Sequence, residues 1–139
     1  MILVDTSAWI EFFGKGDRGE EVDELLELDD AAICGPISTE LRRGLRSPAD
    51  RRKVLPLLGG CHDLEQPDDL WIDAGDLGFT LARRGVTVKS LDLLIATYSL
   101  AHGVPLLTLD RDFWSMRDAG IPLTLVWQGA PGIIAAVRS

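Results

Sequence analysis

Short apolar runs alternate along this chain with stretches of helical periodicity, and that alternation limits the fold more than any other feature. Ile2-Leu3-Val4, Ala31-Ala32-Ile33-Cys34, Val104-Pro105-Leu106-Leu107 and Leu123-Thr124-Leu125-Val126 are apolar at nearly every position, and Gly60-Cys61-His62-Asp63-Leu64 is a weaker fifth run. A strand apolar on successive residues buries both of its faces, which suits a parallel sheet covered on both sides. Helical patterns occupy 7–13, 20–28, 38–45, 49–58, 70–84, 91–101 and 111–119. Ser7 is a candidate N-cap, Ser47-Pro48 divides the third pattern from the fourth, and His102-Gly103 closes the sixth. The expected fold is α/β: a central, mostly parallel sheet between two helical layers.

The chain has 139 residues, enough for one domain over 1–139 and too few for two. Two cysteines, Cys34 and Cys61, exclude a disulfide scaffold and are expected to be buried thiols. No apolar run approaches the roughly 20 residues of a membrane span. Met1 to Asp5 has no basic region ahead of an apolar one, so no signal peptide is expected, and a cytoplasmic location is. Net charge is −8, the wrong sign for bulk attraction to nucleic acid. Basic residues are nevertheless concentrated: Arg42, Arg43, Arg46, Arg51, Arg52 and Lys53 fall in one stretch, and Arg83 and Arg84 in another.

In parallel α/β sheets ligands bind outside the carboxyl ends of the strands, so the residues just after each strand matter most. Asp5 follows the first run directly, and Asp110 lies three residues after Leu107. Glu40 is expected in the first turn of the helix after the second run, and Asp92 in the first turn of the helix opened by Ser90. Any one of them alone reads as a cap or a dipole partner. Four at one rim repel one another unless a cation or bound protons relieve them. An all-oxygen donor set suits Mg²⁺ or Mn²⁺, and such an ion at an open rim points to phosphodiester hydrolysis by an activated water. A bound cation would also offset part of the unfavourable net charge.

Four segments in order, Asp5-Thr6-Ser7-Ala8-Trp9, Glu40-Leu41-Arg42-Arg43-Gly44, Asp92-Leu93-Leu94-Ile95-Ala96 and Thr108-Leu109-Asp110-Arg111-Asp112-Phe113, resemble the motifs of a PIN domain. More narrowly, they resemble the VapC toxins of toxin–antitoxin pairs, over Ile2 to about Val126. The resemblance implies a five-stranded parallel sheet and a Mg²⁺- or Mn²⁺-dependent endoribonuclease acting on RNA such as tRNA. It also implies a homodimer and a cognate antitoxin that covers the site. It assigns Asp5, Glu40, Asp92 and Asp110 to the acidic quartet, with Asp112 sharing or replacing the role of Asp110. Ser7 and Thr108 become hydrogen-bonding supports for the ligands, or else simple helix caps. Arg42, Arg43 and Arg46 become candidate RNA contacts. The tail 127–139 receives no role.

Other readings are weaker. Gly14-Lys15-Gly16-Asp17-Arg18-Gly19 matches a dinucleotide fingerprint, but it follows a helical pattern and carries acids where a pyrophosphate would lie. No serine or cysteine has a histidine base beside it in sequence, so a nucleophilic triad lacks support. A catalytically silent module that binds an arginine-bearing protein, and a nuclease directed at DNA or flaps, remain as alternatives.

Overall fold

The first apolar run forms β1 (Ile2–Val4), whose three residues are all fully buried. Successive side chains of a strand point to opposite faces, so both faces of this strand are covered. The computed structural model describes residues 1–14 and 19–126. After β1 come α1 (Thr6–Phe13), α2 (Glu20–Glu27), β2 (Ala31–Ile33), α3 (Gly35–Arg43), α4 (Pro48–Gly59) and β3 (His62–Asp63). They are followed by α5 (Leu70–Arg83), α6 (Ser90–His102), β4 (Leu106–Leu107), α7 (Arg111–Asp118) and β5 (Leu125–Val126).

All strand pairs are parallel, in the order β3-β2-β1-β4-β5. This is the expected α/β architecture with five strands. The weak run at 60–64 is an edge strand, which explains its polar residues: His62 is half-buried and Asp63 exposed. The strands are shorter than the apolar runs because only two or three residues of each are assigned to a ladder.

The chain builds outward from β1 to β3 on one side, then returns to add β4 and β5 on the other. The order therefore reverses between β1 and β4, and at such a switch point the connections leave in opposite directions and open a crevice. Asp5 N–H still donates to Leu107 O at 2.9 Å, so the two strand ends stay paired up to the mouth of that crevice. α6 immediately precedes β4 and packs back along the sheet, which sets its N-terminus at the strands' carboxyl rim.

Several local expectations change. Asp5, not Ser7, is the N-cap of α1, accepting from Ser7 N–H. α3 begins at Gly35, earlier than the pattern at 38–45, because Pro36 fits the first turn of a helix, where its missing N–H is no loss. Glu40 therefore sits near the end of α3 and not in its first turn. Cys34 is buried, but Cys61 only partly so. Burial pushes their thiols up to about 12 and about 11 respectively, which leaves both unreactive at neutral pH. Gly14 ends α1 and Gly19 precedes α2, so the fingerprint-like segment joins two helices. Its residues 15–18, and the tail 127–139, lie outside the described residues.

α6 ends at Gly103 in the left-handed conformation (φ 63°), and Val104 N–H closes back onto Ser99 O at 3.1 Å. A side chain at this φ is strained, so Gly103→Ala is expected to lower stability by about 1 kcal/mol, read by chemical denaturation.

Candidate metal centre

Asp92 occupies the first turn of α6 and is only 7% exposed. Its Oδ2 is buried without a hydrogen-bond partner. An ionised oxygen in that position is costly, and the Asp92 carboxyl is pushed up to about 7. Burial is the main cause, followed by the charges of Asp110, Asp5, Asp112 and Glu40 in that order. Five carboxylates from four separated parts of the chain thus bear on one another.

One carboxylate oxygen each of Asp92, Asp110 and Asp112 lies within 4.8 Å of the others. Opposed ligands of a small divalent cation held at about 2.1 Å stand about 4.2 Å apart, so modest side-chain rotation suffices to close the set on one ion. The unpartnered Oδ2 of Asp92 and the purely oxygen donor set both fit a hard divalent cation. Asp110 and Asp112 both belong to the cluster, and the geometry supplies no reason to choose between them. Asp110 also caps α7: its Oδ1 accepts from Asp112 N–H at 2.9 Å, which fixes both carboxylates to one helix start.

Asp5 is held by a separate network. Its Oδ2 accepts from Ser7 Oγ at 2.7 Å and from Thr108 Oγ1 at 2.9 Å. Each hydroxyl has one proton and gives it to Asp5, so their mutual contact at 3.3 Å is a proximity of two acceptors. Both acceptors are then used: Ser7 Oγ accepts from Leu109 N–H at 3.0 Å, and Thr108 Oγ1 from Asp110 N–H at 2.9 Å. The end of β1 is in this way tied to the turn after β4 and to the backbone of Asp110. Neither Ser7 nor Thr108 is a helix cap. Burial still raises the Asp5 carboxyl above its ordinary range, outweighing these hydrogen bonds. Ser7→Ala removes one support and leaves Leu109 N–H without its acceptor. It is expected to weaken divalent-cation binding about tenfold, measured by cation titration of the melting temperature.

Glu40 accepts from Thr6 Oγ1 at 2.8 Å, which moors the end of α3 to the start of α1, one residue from Asp5. Nothing in the sequence pattern singles out Thr6. The one signal for it is its place just after a strand and a carboxylate, where a short hydroxyl commonly orients an acid. Arg42, Arg43 and Arg46 are exposed beyond Glu40, with Arg42 Nε donating to Ser38 Oγ at 3.1 Å. The two histidines stand elsewhere, donating to Asp29 O and Glu65 O at 2.7 Å each.

The PIN domain family model matches residues 2–118. VapC ribonuclease Mb1587 of Mycobacterium bovis is 35% identical over 119 residues, covering 81% of this chain and 89% of that protein. Ribonuclease VapC21 of Mycobacterium tuberculosis is 31% identical over 115 residues, covering 80% and 82%. Among solved structures, VapBC2 from Rickettsia felis, bound to a DNA fragment from its promoter, aligns with a TM-score of 0.73 at 20% identity. That alignment covers 92% of this chain and 99% of the other. DNA-bound VapBC from Salmonella typhimurium aligns with a TM-score of 0.72 at 22% identity, covering 91% and 96%.

Proposed function

Since the chain belongs to the PIN-domain family, and within it to the VapC ribonucleases, we propose that its carboxylate crevice is the active site of a divalent-metal-dependent endoribonuclease. The observation that carries this is the cluster at the strand switch point, with the unpartnered Oδ2 of Asp92 inside it. The chain is the toxin component of a toxin–antitoxin pair.

Asp92, Asp110 and Asp112 would hold the ion, with Asp5 and Glu40 completing the acidic rim. Mg²⁺ or Mn²⁺ is the ion that this donor set favours. When bound, such an ion polarises a phosphoryl oxygen and lowers the pKa of a coordinated water. The chain's own part is to fix the geometry. Ser7 and Thr108 hold Asp5 in one orientation, Thr6 holds Glu40, and the α7 cap keeps Asp110 and Asp112 together. Arg42, Arg43 and Arg46 extend the exposed face of α3 and the turn after it, where phosphates flanking the cut would meet positive charge. A cognate antitoxin would occupy the same crevice, and an arginine from it would pair with the carboxylates in place of the ion. Among the described residues no helix is long and apolar enough to cross a membrane.

Purified protein is to be incubated with single-stranded RNA, tRNA and DNA of matched sequence, with Mg²⁺, with Mn²⁺ and with EDTA. Cleavage of RNA alone, abolished by EDTA, is the expected result. Cleavage of DNA at equal rate, or cleavage undiminished in EDTA, overturns the reading.

A further inference from the structure

α5 carries an apolar stripe that nothing in the fold uses. Its inner face is fixed: Leu70, Ala74 and Leu81 are buried, and Gly78 lies against Leu93 of α6. On the outer face Trp71, Ile72 and Phe79 are 69%, 66% and 66% exposed. At about 100° per residue, Trp71, Ile72, Gly75, Phe79 and Ala82 share one arc of about 100°, directly opposite the buried side. Together the three large side chains leave roughly 400 Å² of apolar surface bare, within the range of the largest patch on a typical monomer, which is commonly a binding surface. Gly75, in the middle of the stripe, has nothing within 4 Å of where a Cβ would stand, so another backbone can approach closely there.

Charge along the helix identifies the occupant. Asp68 and Asp69 precede its first turn, and Asp73 and Asp76 flank the stripe in its first half. Arg83 ends it, exposed, with its guanidinium 5.9 Å from the centre of the Phe79 ring. Arg84 is already engaged, donating to Ala119 O. No ion pair among the described residues uses Asp68, Asp69, Asp73 or Arg83. A helix acidic at one end and basic at the other is complementary to itself in antiparallel array. Turned about a two-fold axis near Gly75, it sets Arg83 beside Asp68 and Asp69 of the partner subunit, and Phe79 beside Ile72 and Trp71 of the partner subunit. The first contact is thus repeated symmetrically at both ends of one apolar seam.

We infer that the exposed face of α5 is a self-association surface, on which a second copy of this chain packs its own α5 antiparallel about Gly75. The interface lies one helix away from the carboxylate crevice, so pairing leaves the crevice open.

The test is the mass of the full chain by light scattering, in the absence of RNA and metal, so its outcome is independent of the cleavage reading. Wild type is expected at twice the 15.2 kDa of one chain. Trp71→Glu with Phe79→Glu is expected to raise the dimer dissociation constant at least ~100-fold, with an unchanged circular dichroism spectrum because both side chains are exposed. Arg83→Glu alone should raise it about tenfold, and Asp69→Arg added to Arg83→Glu should recover most of that loss. A monomeric wild type overturns the inference and leaves the face to another occupant, such as the apolar 133–137 segment. A dimer that survives the double glutamate variant also overturns it. Failure of the charge exchange to rescue overturns the antiparallel arrangement.

Discussion

Asp92→Asn is expected to lower RNA cleavage by on the order of 1,000-fold while leaving the fold intact. The substitution keeps size and shape and removes one negative charge from the centre of the carboxylate cluster. Asp92 Oδ2 makes no hydrogen bond, so no structural contact depends on it. The other acids differ in what else they do. Asp110→Asn should also abolish cleavage without unfolding α7, because asparagine caps a helix as well as aspartate. Asp5→Asn is less clean, since two hydroxyls donate to the same oxygen of Asp5 and half of an amide cannot accept them. Cleavage assays on a labelled RNA with Mg²⁺ or Mn²⁺, alongside circular dichroism, separate loss of chemistry from loss of structure. An Asp92→Asn protein cutting within tenfold of wild type would remove Asp92 from the site.

The sheet is legible in the sequence because burial on both faces leaves its mark on consecutive residues, as in Ile2-Leu3-Val4. Asp92 and Asp110 are legible because they stand just inside or just before a helix that starts at the strand rim. Apolar spacing puts Glu40 in the wrong turn, because Pro36 opens α3 ahead of its polar-periodic part and such spacing does not register that. Which carboxylates meet depends on strand order, and order is a long-range property: β1 and β4 are neighbours with about a hundred residues between them. The network from Ser7 and Thr108 to Asp5 spans the same gap. Local spacing carries no trace of it, whereas the four ordered motifs carry it through resemblance. The apolar face of α5 is hidden for the opposite reason. Trp71, Ile72 and Phe79 look like core residues in a sequence, and only their exposure distinguishes them.

Without metal, the carboxylate cluster should make the protein less stable as pH rises, and a divalent cation should reverse this. Asp92 titrates at about 7 in the folded chain, against an ordinary 3.8 when unfolded. Between those values the folded state holds a proton that the unfolded state has released. Stability from this group is therefore fully present below about pH 4 and is lost as pH rises through 7. Asp5 is raised as well and acts in the same direction. Asp92→Asn removes the dependence on Asp92. In EDTA the variant is expected to match wild type near pH 4 and to exceed it by about 2–4 kcal/mol at pH 8, since each tenfold difference in proton affinity between the two states corresponds to about 1.4 kcal/mol. Mn²⁺ at about 100 times its dissociation constant should return about 2.7 kcal/mol to wild type at pH 8 and much less to the variant. Denaturant titrations at several pH values, with and without the ion, give both differences. A gap between variant and wild type that stays flat with pH would show that the buried oxygen of Asp92 carries no charge penalty, and with it the physical reason for a cation in this crevice would disappear.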